Sequence, residues 1–232
     1  MTWLSDLPEQ PSPQRDKITL DAVASGLAIV EWSDISSTYQ NHTATFRVST
    51  DAAYVNTEQG RFRPQFTASM AQQAADLVGG MLPTTKAMDL RHLASNKLNA
   101  TLLSAGPQMS STSYSKKWNA NLELKRKDYS GIVSDAGKPW LVDNRLAQSA
   151  GAVLYGFYDV NAPSTNSIGL KMWQLLGTKH NKMHQDYSST LILLAKNCIV
   201  DGQNTTVEEV VKDPILSHLI NYDGILNYVR QP

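Results

Sequence analysis

Apolar residues recur at helical spacing in four stretches of the first half of the chain and gather into short, strand-length runs in the second. "RDKITLDAVASGL" places Ile18, Ala22 and Val23 on one helical face and closes on Gly26, a residue suited to the left-handed turn after a helix. "TASMAQQAADLVGG" groups Met70, Ala74, Leu77 and Val78 on one face, with Thr67 as N-cap and Gly79 as stop; "TTKAMDLRHLASNKL" opens another helix directly afterwards. "SSTSYSKKWNANLELKRK" brings Tyr114, Trp118 and Leu122 into register behind Ser111 or Ser113 as cap.

Period-two alternation appears in "TATFRVST", where Phe46 and Val48 alternate with Thr45, Arg47 and Ser49. With "LAIVEW" it predicts a strand pair joined by a Ser/Thr/Asn-rich turn. From Lys138 onward "PWLVDN", "AVLYGFYD" and "STLILLAKNCIV" predict further strands. "DGQN" at Asp201–Asn204 predicts a turn, and "TVEEVVKDP" a short helix with Thr205 and Glu208 as capping box and Pro214 as terminator. No regular strand–helix–strand alternation appears, so the expected class is α+β, with helices mainly in the N-terminal half and an antiparallel or mixed sheet built largely from the C-terminal half. Three prolines between Pro8 and Pro13 predict an extended lead-in over residues 1–15, leaving 16–232 as a single α+β domain.

Composition narrows the partners. Lys plus Arg and Asp plus Glu both number 21, so no net field draws the chain to nucleic acid or an anionic membrane. The densest basic run, Lys125 to Lys127, reads as a solvated helix face. No apolar stretch is long enough to span a bilayer, and "MTWLSDLPEQPSPQRDK" has no basic segment followed by an apolar one, so synthesis in the cytoplasm is expected. The single cysteine, Cys198, excludes a disulfide within the chain and a cysteine-based zinc site; its setting in "LILLAKNCIV" marks a small core residue.

Chemistry-bearing side chains concentrate in "KHNKMHQDYSS". His180 and His184 are four apart, Asp186 is two further on, and Ser188 follows. His180, His184 and Asp186 form a candidate zinc set, though the Glu of H-E-x-x-H is missing; His92 or Asp159 are the other candidates for third ligand. Alternatively a histidine activates water or the Ser188 hydroxyl while a carboxylate orients the imidazole. Both histidines serve equally well as hydrogen-bonded structural residues. A second cluster, "GKPWLVDNRLAQ", sets Lys138, Asp143, Asn144 and Arg145 around a short apolar run. There Arg145 would hold an anionic group and Lys138 a developing oxyanion, although solvated strand ends have the same composition. Tyr155 and Tyr158 read as packing residues. No dinucleotide, Walker A or nucleophile-elbow motif is present, and Gly79–Gly80 end a helix instead of opening one, so no nucleotide cofactor is expected.

Several segments together resemble an uncharacterised family of bacterial and phage proteins: L-P-T-x-K at Leu82–Lys86, N-R-L at Asn144–Leu146, Y-G-x at Tyr155–Phe157 and D-Y-S at Asp186–Ser188. The resemblance spans most of residues 61–224. It implies a shared fold and leaves Lys138, Asn119, Asn144, Arg145, His180, Asp186, Tyr187 and Ser188 as matching positions. The resemblance implies G-H-K-K-D where the chain has "DAGKPW", Y-G-W-H where it has "YGFY" and frequently D-Y-S-H where it has "DYSS", departures that remove up to three histidines.

The resulting expectation is a hydrolase of cell-wall (peptidoglycan) amide or glycan bonds, its polar site made by His180, His184, Asp186, Ser188, Lys138 and Arg145 on loops at sheet ends. The substrate, polymeric or small, rests on the occurrence of relatives in phages and among exported proteins, which also implies release to the cell wall if the protein is phage-encoded. A non-catalytic glycan- or peptide-binding module and a phage structural or assembly protein are the alternatives.

Overall fold

Ser12 accepts the backbone N–H of Arg15 and Pro13 takes the first helical position, so α1 (Pro13–Ala24) begins where a missing N–H costs nothing. It ends at Gly26, whose φ of 75° only glycine adopts cheaply. The residues before it are anchored: the Glu9 carbonyl accepts the Thr112 N–H and the Glu9 carboxylate accepts from Ser113, at the start of a later helix. The computed structural model describes residues 3–126, 129–148 and 151–231.

The expected first strand pair exists but is displaced. β1 (Trp32–Tyr39) and β2 (His42–Ser49) form the hairpin, while "LAIVEW" contributes only its last residue, Trp32, to β1 and an isolated bridge at Ile29. The Ser/Thr-rich segment expected to be the turn is itself a strand as far as Tyr39. Ile35 and Ser37 face inward while Asp34, Ser36 and Thr38 face solvent, an alternation carried by hydroxyls and hidden from a search for apolar periods.

β3 (Val55–Thr57) and β4 (Gly60–Phe62) make a small hairpin. α2 (Ala68–Leu77) is capped by Thr67, which accepts the Met70 N–H, as its sequence predicts. It buries Ala68, Ala71, Ala74 and Ala75 with Met70, whereas Leu77, expected on that face, is 53% exposed. β5 (Gly80–Met81), α3 (Thr85–Leu93, capped by Thr84) and α4 (Thr112–Arg126, with Ser111 accepting the Tyr114 N–H) complete the first half. Arg126 is not part of a solvated basic face: it is buried 2.9 Å from Asp51. Lys127 lies outside the described residues.

The second half adds β6 (Lys138–Pro139), β7 (Gly151–Tyr158), β8 (Ser164–Thr165), β9 (Lys171–Asn181), β10 (Ser189–Thr190), β11 (Leu194–Val200), β12 (Gln203–Thr206) and α5 (Val207–Lys212). Asp201 and Gly202, at φ of 51° and 80°, turn β11 into β12, the "DGQN" turn expected. The capping box of α5 is Thr206 with Glu209, one residue beyond the predicted pair, and the helix stops before Pro214. β9, eleven residues whose faces both carry polar side chains, gave no strand pattern.

The architecture is α+β. Helices α1–α4 precede residue 127 and most strand residues follow residue 137, but the largest sheet is shared: its order is β1-β2-β11-β12 with β5 also on β11, all antiparallel. β7, β9 and β8 form a second antiparallel sheet, and β6 with β10 is the one parallel strand pair among those described. The main core, with Phe46, Val48, Phe66, Leu82, Trp140, Leu154 and Leu193, lies between the shared sheet and its helices. A second cluster of Met88, Leu141, Val153, Tyr155, Tyr158 and Met172 joins α3 to the three-stranded sheet.

Buried charge ties the helices to the sheets. Arg63 grips Asp51 through two bonds of 2.8 and 2.6 Å and also reaches Glu123 on α4, while Arg91 on α3 donates to the Ser49 and Thr50 carbonyls. Asp135 is less well served. Thr101 donates to one oxygen and Lys125 stands 3.5 Å from it, but Oδ1 is buried without a partner, and burial pushes the carboxyl up from 3.8 to about 6.

This raised value fixes the sign of a pH effect. The native state binds the Asp135 proton more tightly than the unfolded chain, so the residue's contribution to stability is fully present below pH 3.8 and lost as pH rises through about 6. Asp135→Asn keeps the Thr101 bond and cannot ionise. Urea unfolding should find it equal to the parent near pH 4 and more stable by about 1–2 kcal/mol at pH 7; an offset independent of pH would contradict the assignment.

Candidate functional site

β9 ends at Asn181, and a tight turn follows in which His184 N–H donates to the Asn181 carbonyl and Met183 N–H to the Asn181 side chain. This turn folds His184 back on His180, and the two imidazoles stack at 4.0 Å with 25° between their planes. The H-x3-H spacing thus brings the rings together through a strand end and a turn, not along a helix face.

The following residues are held on all sides. Ala68 N–H reaches the Lys182 carbonyl, Phe66 N–H the Ser189 carbonyl and Tyr187 N–H the Met109 carbonyl. Gln185 accepts from Arg15 of α1, and the Tyr187 hydroxyl accepts the Leu103 N–H. The segment is therefore pinned to the helical half of the molecule at Lys182, Gln185, Tyr187 and Ser189.

Asp186 is the hub. Its Oδ2 accepts Lys138 Nζ at 2.7 Å and His184 Nε2 at 3.2 Å; its Oδ1 accepts the Ser188 hydroxyl at 2.7 Å and the Ser188 N–H at 2.8 Å. Only 2% exposed, the carboxylate is opposed by burial, but the His184 bond, the Lys138 ammonium and the Ser188 hydroxyl outweigh that and hold it far below the usual carboxylate range.

Lys138 reaches Asp186 because β6 lies parallel against β10, with Ser189 opposite Lys138 and Lys138 N–H on the Ser188 carbonyl at 2.7 Å. Gly137 permits that approach: its φ is 84°, and a Cβ there would collide with the Ser188 carbonyl and the Thr190 side chain. Trp140, fully buried, donates Nε1–H to the Phe66 carbonyl, and its ring meets that of His184 in a T-shaped pair with centroids 6.3 Å apart. His180 titrates below the ordinary imidazole value, through burial first and then the neighbouring His184 and Lys138.

Five of the six expected site residues therefore converge: His180, His184, Asp186, Ser188 and Lys138. Arg145 does not join them. It pairs with Asp143 at 3.2 Å and lines a separate cavity of about 320 Å³ with Asp89 and Tyr222. Two expected roles also change, because Lys138 is bound to Asp186 instead of facing a substrate, and the Ser188 hydroxyl, 1% exposed, donates to a carboxylate instead of to a histidine.

A zinc ion does not fit the set of His180, His184 and Asp186 as arranged. The imidazoles are stacked face to face, and both Asp186 oxygens are engaged, one of them by an ammonium. Among the described residues no three His, Cys, Asp or Glu side chains group as a metal site would require. His92 and Asp159, the other candidates for third ligand, line a different cavity. Cys198 is buried and its thiol is pushed up to about 11, which leaves it unreactive.

A second polar centre escaped the sequence. Asp89 of α3, 1% exposed, accepts the hydroxyls of Tyr155, Tyr158 and Tyr222 and the Asn166 amide, at 2.7 to 3.1 Å. Burial raises its carboxyl against these four bonds. The signal was a lone carboxylate on the same helical face as Thr85, Met88 and His92.

No helix among the described residues is long and apolar enough to cross a membrane. Comparison with protein-family models, with curated proteins and with solved structures yields no match.

Replacing Lys138 by Met leaves the buried Asp186 carboxylate with one partner fewer and removes a positive charge beside His180. Chemical unfolding should show a loss of about 3 kcal/mol, and the NMR titration midpoint of His180 should move upward. An unchanged His180 midpoint would show that Lys138 does not act on the histidine pair.

Proposed function

We propose that the chain is a hydrolase in which His184, oriented by Asp186, serves as general base for attack of water on an amide carbonyl. The observation that carries this reading is the bond from His184 Nε2 to a buried, ionised carboxylate: it fixes the imidazole's orientation and leaves Nδ1 for proton exchange. In the reaction the water oxygen bonds to the carbonyl carbon and its proton passes to His184 Nδ1. As the tetrahedral intermediate collapses, that proton goes to the leaving nitrogen and the C–N bond breaks. Asp186 stabilises the transient imidazolium, and Lys138 and Ser188 act as positioning residues that keep Asp186 ionised and in place.

Of the two bond types expected from the sequence, the cluster favours the amide. Glycoside hydrolysis ordinarily uses a pair of carboxylates about 5 to 10 Å apart, and the described cluster offers one carboxylate flanked by imidazoles. A cell-wall peptide as substrate is proposed from the resemblance to bacterial and phage proteins carried by the D-Y-S and N-R-L segments. The second reading, binding without turnover, is favoured by one feature: Lys138 and Ser188 are both spent on Asp186, which leaves no serine nucleophile and no free ammonium in the cluster.

Purified sacculi incubated with the protein, with released peptides and new amines followed by mass spectrometry, separate the two. Turnover by the parent, a loss of about 100-fold or more in His184→Ala and a melting temperature within a few degrees of the parent are expected. Saturable binding of sacculi with no product would establish the binding reading. Equal activity in parent and His184→Ala would remove His184 from the mechanism.

A further inference from the structure

Arg145, whose sequence setting suggests a grip on an anionic group, stands away from the Asp186 cluster in a cavity of about 320 Å³. The cavity lies between α3, the short 3-10 turn at Asn144–Gln148, the end of β8, the middle of β9 and the Tyr222–Asp223 turn. Its volume is within the range of small-molecule sites, about 300 to 1,000 Å³. Leu175 and Leu176 give it an apolar wall, and Leu175 is 40% exposed.

The buried polar groups of the lining are committed to one another. Asp89 accepts the Tyr155 and Tyr222 hydroxyls and the Asn166 amide, and Asn166 Oδ1 accepts the Ile168 and Leu170 N–H groups. The two outer charges are not. Arg145, its side chain 52% exposed, spends Nη1 on Asp143 at 3.2 Å, while its Nε and Nη2 have no hydrogen-bond partner among the described residues. Asp223 is exposed, and among the described residues its carboxylate accepts no hydrogen bond and forms no ion pair. It stands near the Arg145–Asp143 pair, since burial raises the Asp143 carboxyl and the Asp223 charge adds to that. Opposite charges thus line one cavity without neutralising each other. Thr85, Thr165 and Ser167 add hydroxyls that are also without a partner among the described residues.

We infer that this cavity binds a zwitterionic α-amino acid with an aliphatic side chain, its carboxylate on the Arg145 guanidinium, its ammonium on the Asp223 carboxylate and its side chain against Leu175 and Leu176. A guanidinium fork takes a carboxylate through the donors that Asp143 leaves open. A ligand of one charge would answer one wall and draw the other out of water unpaired, a cost that a molecule bearing both charges avoids. An ammonium has three donors, and the unbonded hydroxyls accept those that Asp223 does not. The cavity shares no lining residue with the His184–Asp186–Lys138 cluster, so the proposal stands independently of the hydrolase reading.

The probes are L-leucine, 4-methylpentanoate, which lacks its ammonium, and 3-methylbutylamine, which lacks its carboxylate, each titrated by NMR into the full chain at neutral pH. The parent should bind leucine saturably at millimolar concentration and shift the amide signals of Leu175, Leu176 and Asp223. It should prefer leucine to either half by about tenfold or more, the worth of one hydrogen bond to a charged group. Arg145→Met should bind leucine and 3-methylbutylamine alike, and Asp223→Ala should bind leucine and 4-methylpentanoate alike. Both side chains are exposed, so both variants should melt close to the parent. Absence of saturable leucine binding to the parent would overturn the proposal, as would signal shifts confined to other residues, equal binding of either half, or a preference that survives loss of its charged partner.

Discussion

A carboxylate that is almost wholly buried has to be paired, and much of the candidate site follows from how Asp186 meets that demand. Its two oxygens accept an ammonium, an imidazole N–H, a hydroxyl and a backbone N–H, which accounts for most of the hydrogen-bonding capacity of an ionised carboxyl. Each partner imposes a requirement elsewhere. Lys138 requires β6 to lie tight against β10, which requires glycine at 137; His184 requires the turn after Asn181; Ser188 requires the local bend that returns its own N–H to the carboxylate.

The site is also a junction between the two halves of the chain. Residues 182–190 belong to the strand-rich half, yet they are fastened to Arg15, to Phe66 and Ala68 at the start of α2, and to Leu103 and Met109 ahead of α4. The helical half is itself fixed to the sheets by the Asp51–Arg63–Glu123 and Arg91 contacts. A side chain whose segment is held at so many points keeps its orientation without rearrangement, which an oriented imidazole needs for proton transfer.

The helices were legible because their signals are local. Thr67, Thr84 and Ser111 each cap the helix that follows, and Gly26 and Gly79 stand just past helix ends, all within a few residues of one another in sequence. β1 and β9 were not legible, since their inward positions include Ser37 and other residues that do not register as apolar, and their strand character comes from the neighbours they pair with. The capping box of α5 fell one residue away from its predicted place because β12 runs directly into the helix and extends through Thr205 to Thr206.

For the site, the chain's order alone determined which side chains were dense enough to matter: two imidazoles, a carboxylate and a hydroxyl within nine residues, His180 to Ser188. It determined as well that a single cysteine forms neither a disulfide within the chain nor a cysteine-based zinc site, and that the chain carries no dinucleotide, Walker A or nucleophile-elbow motif. Only the tertiary structure decided that Lys138 would join them and Arg145 would not, that Ser188 would serve Asp186 instead of attacking a substrate, and that Asp89 would gather three tyrosines from 66 to 133 residues away. Sequence proximity fixes which groups a short segment can present. Hydrogen bonds between distant segments depend on sheet pairing and burial, and those are settled only when the whole core closes.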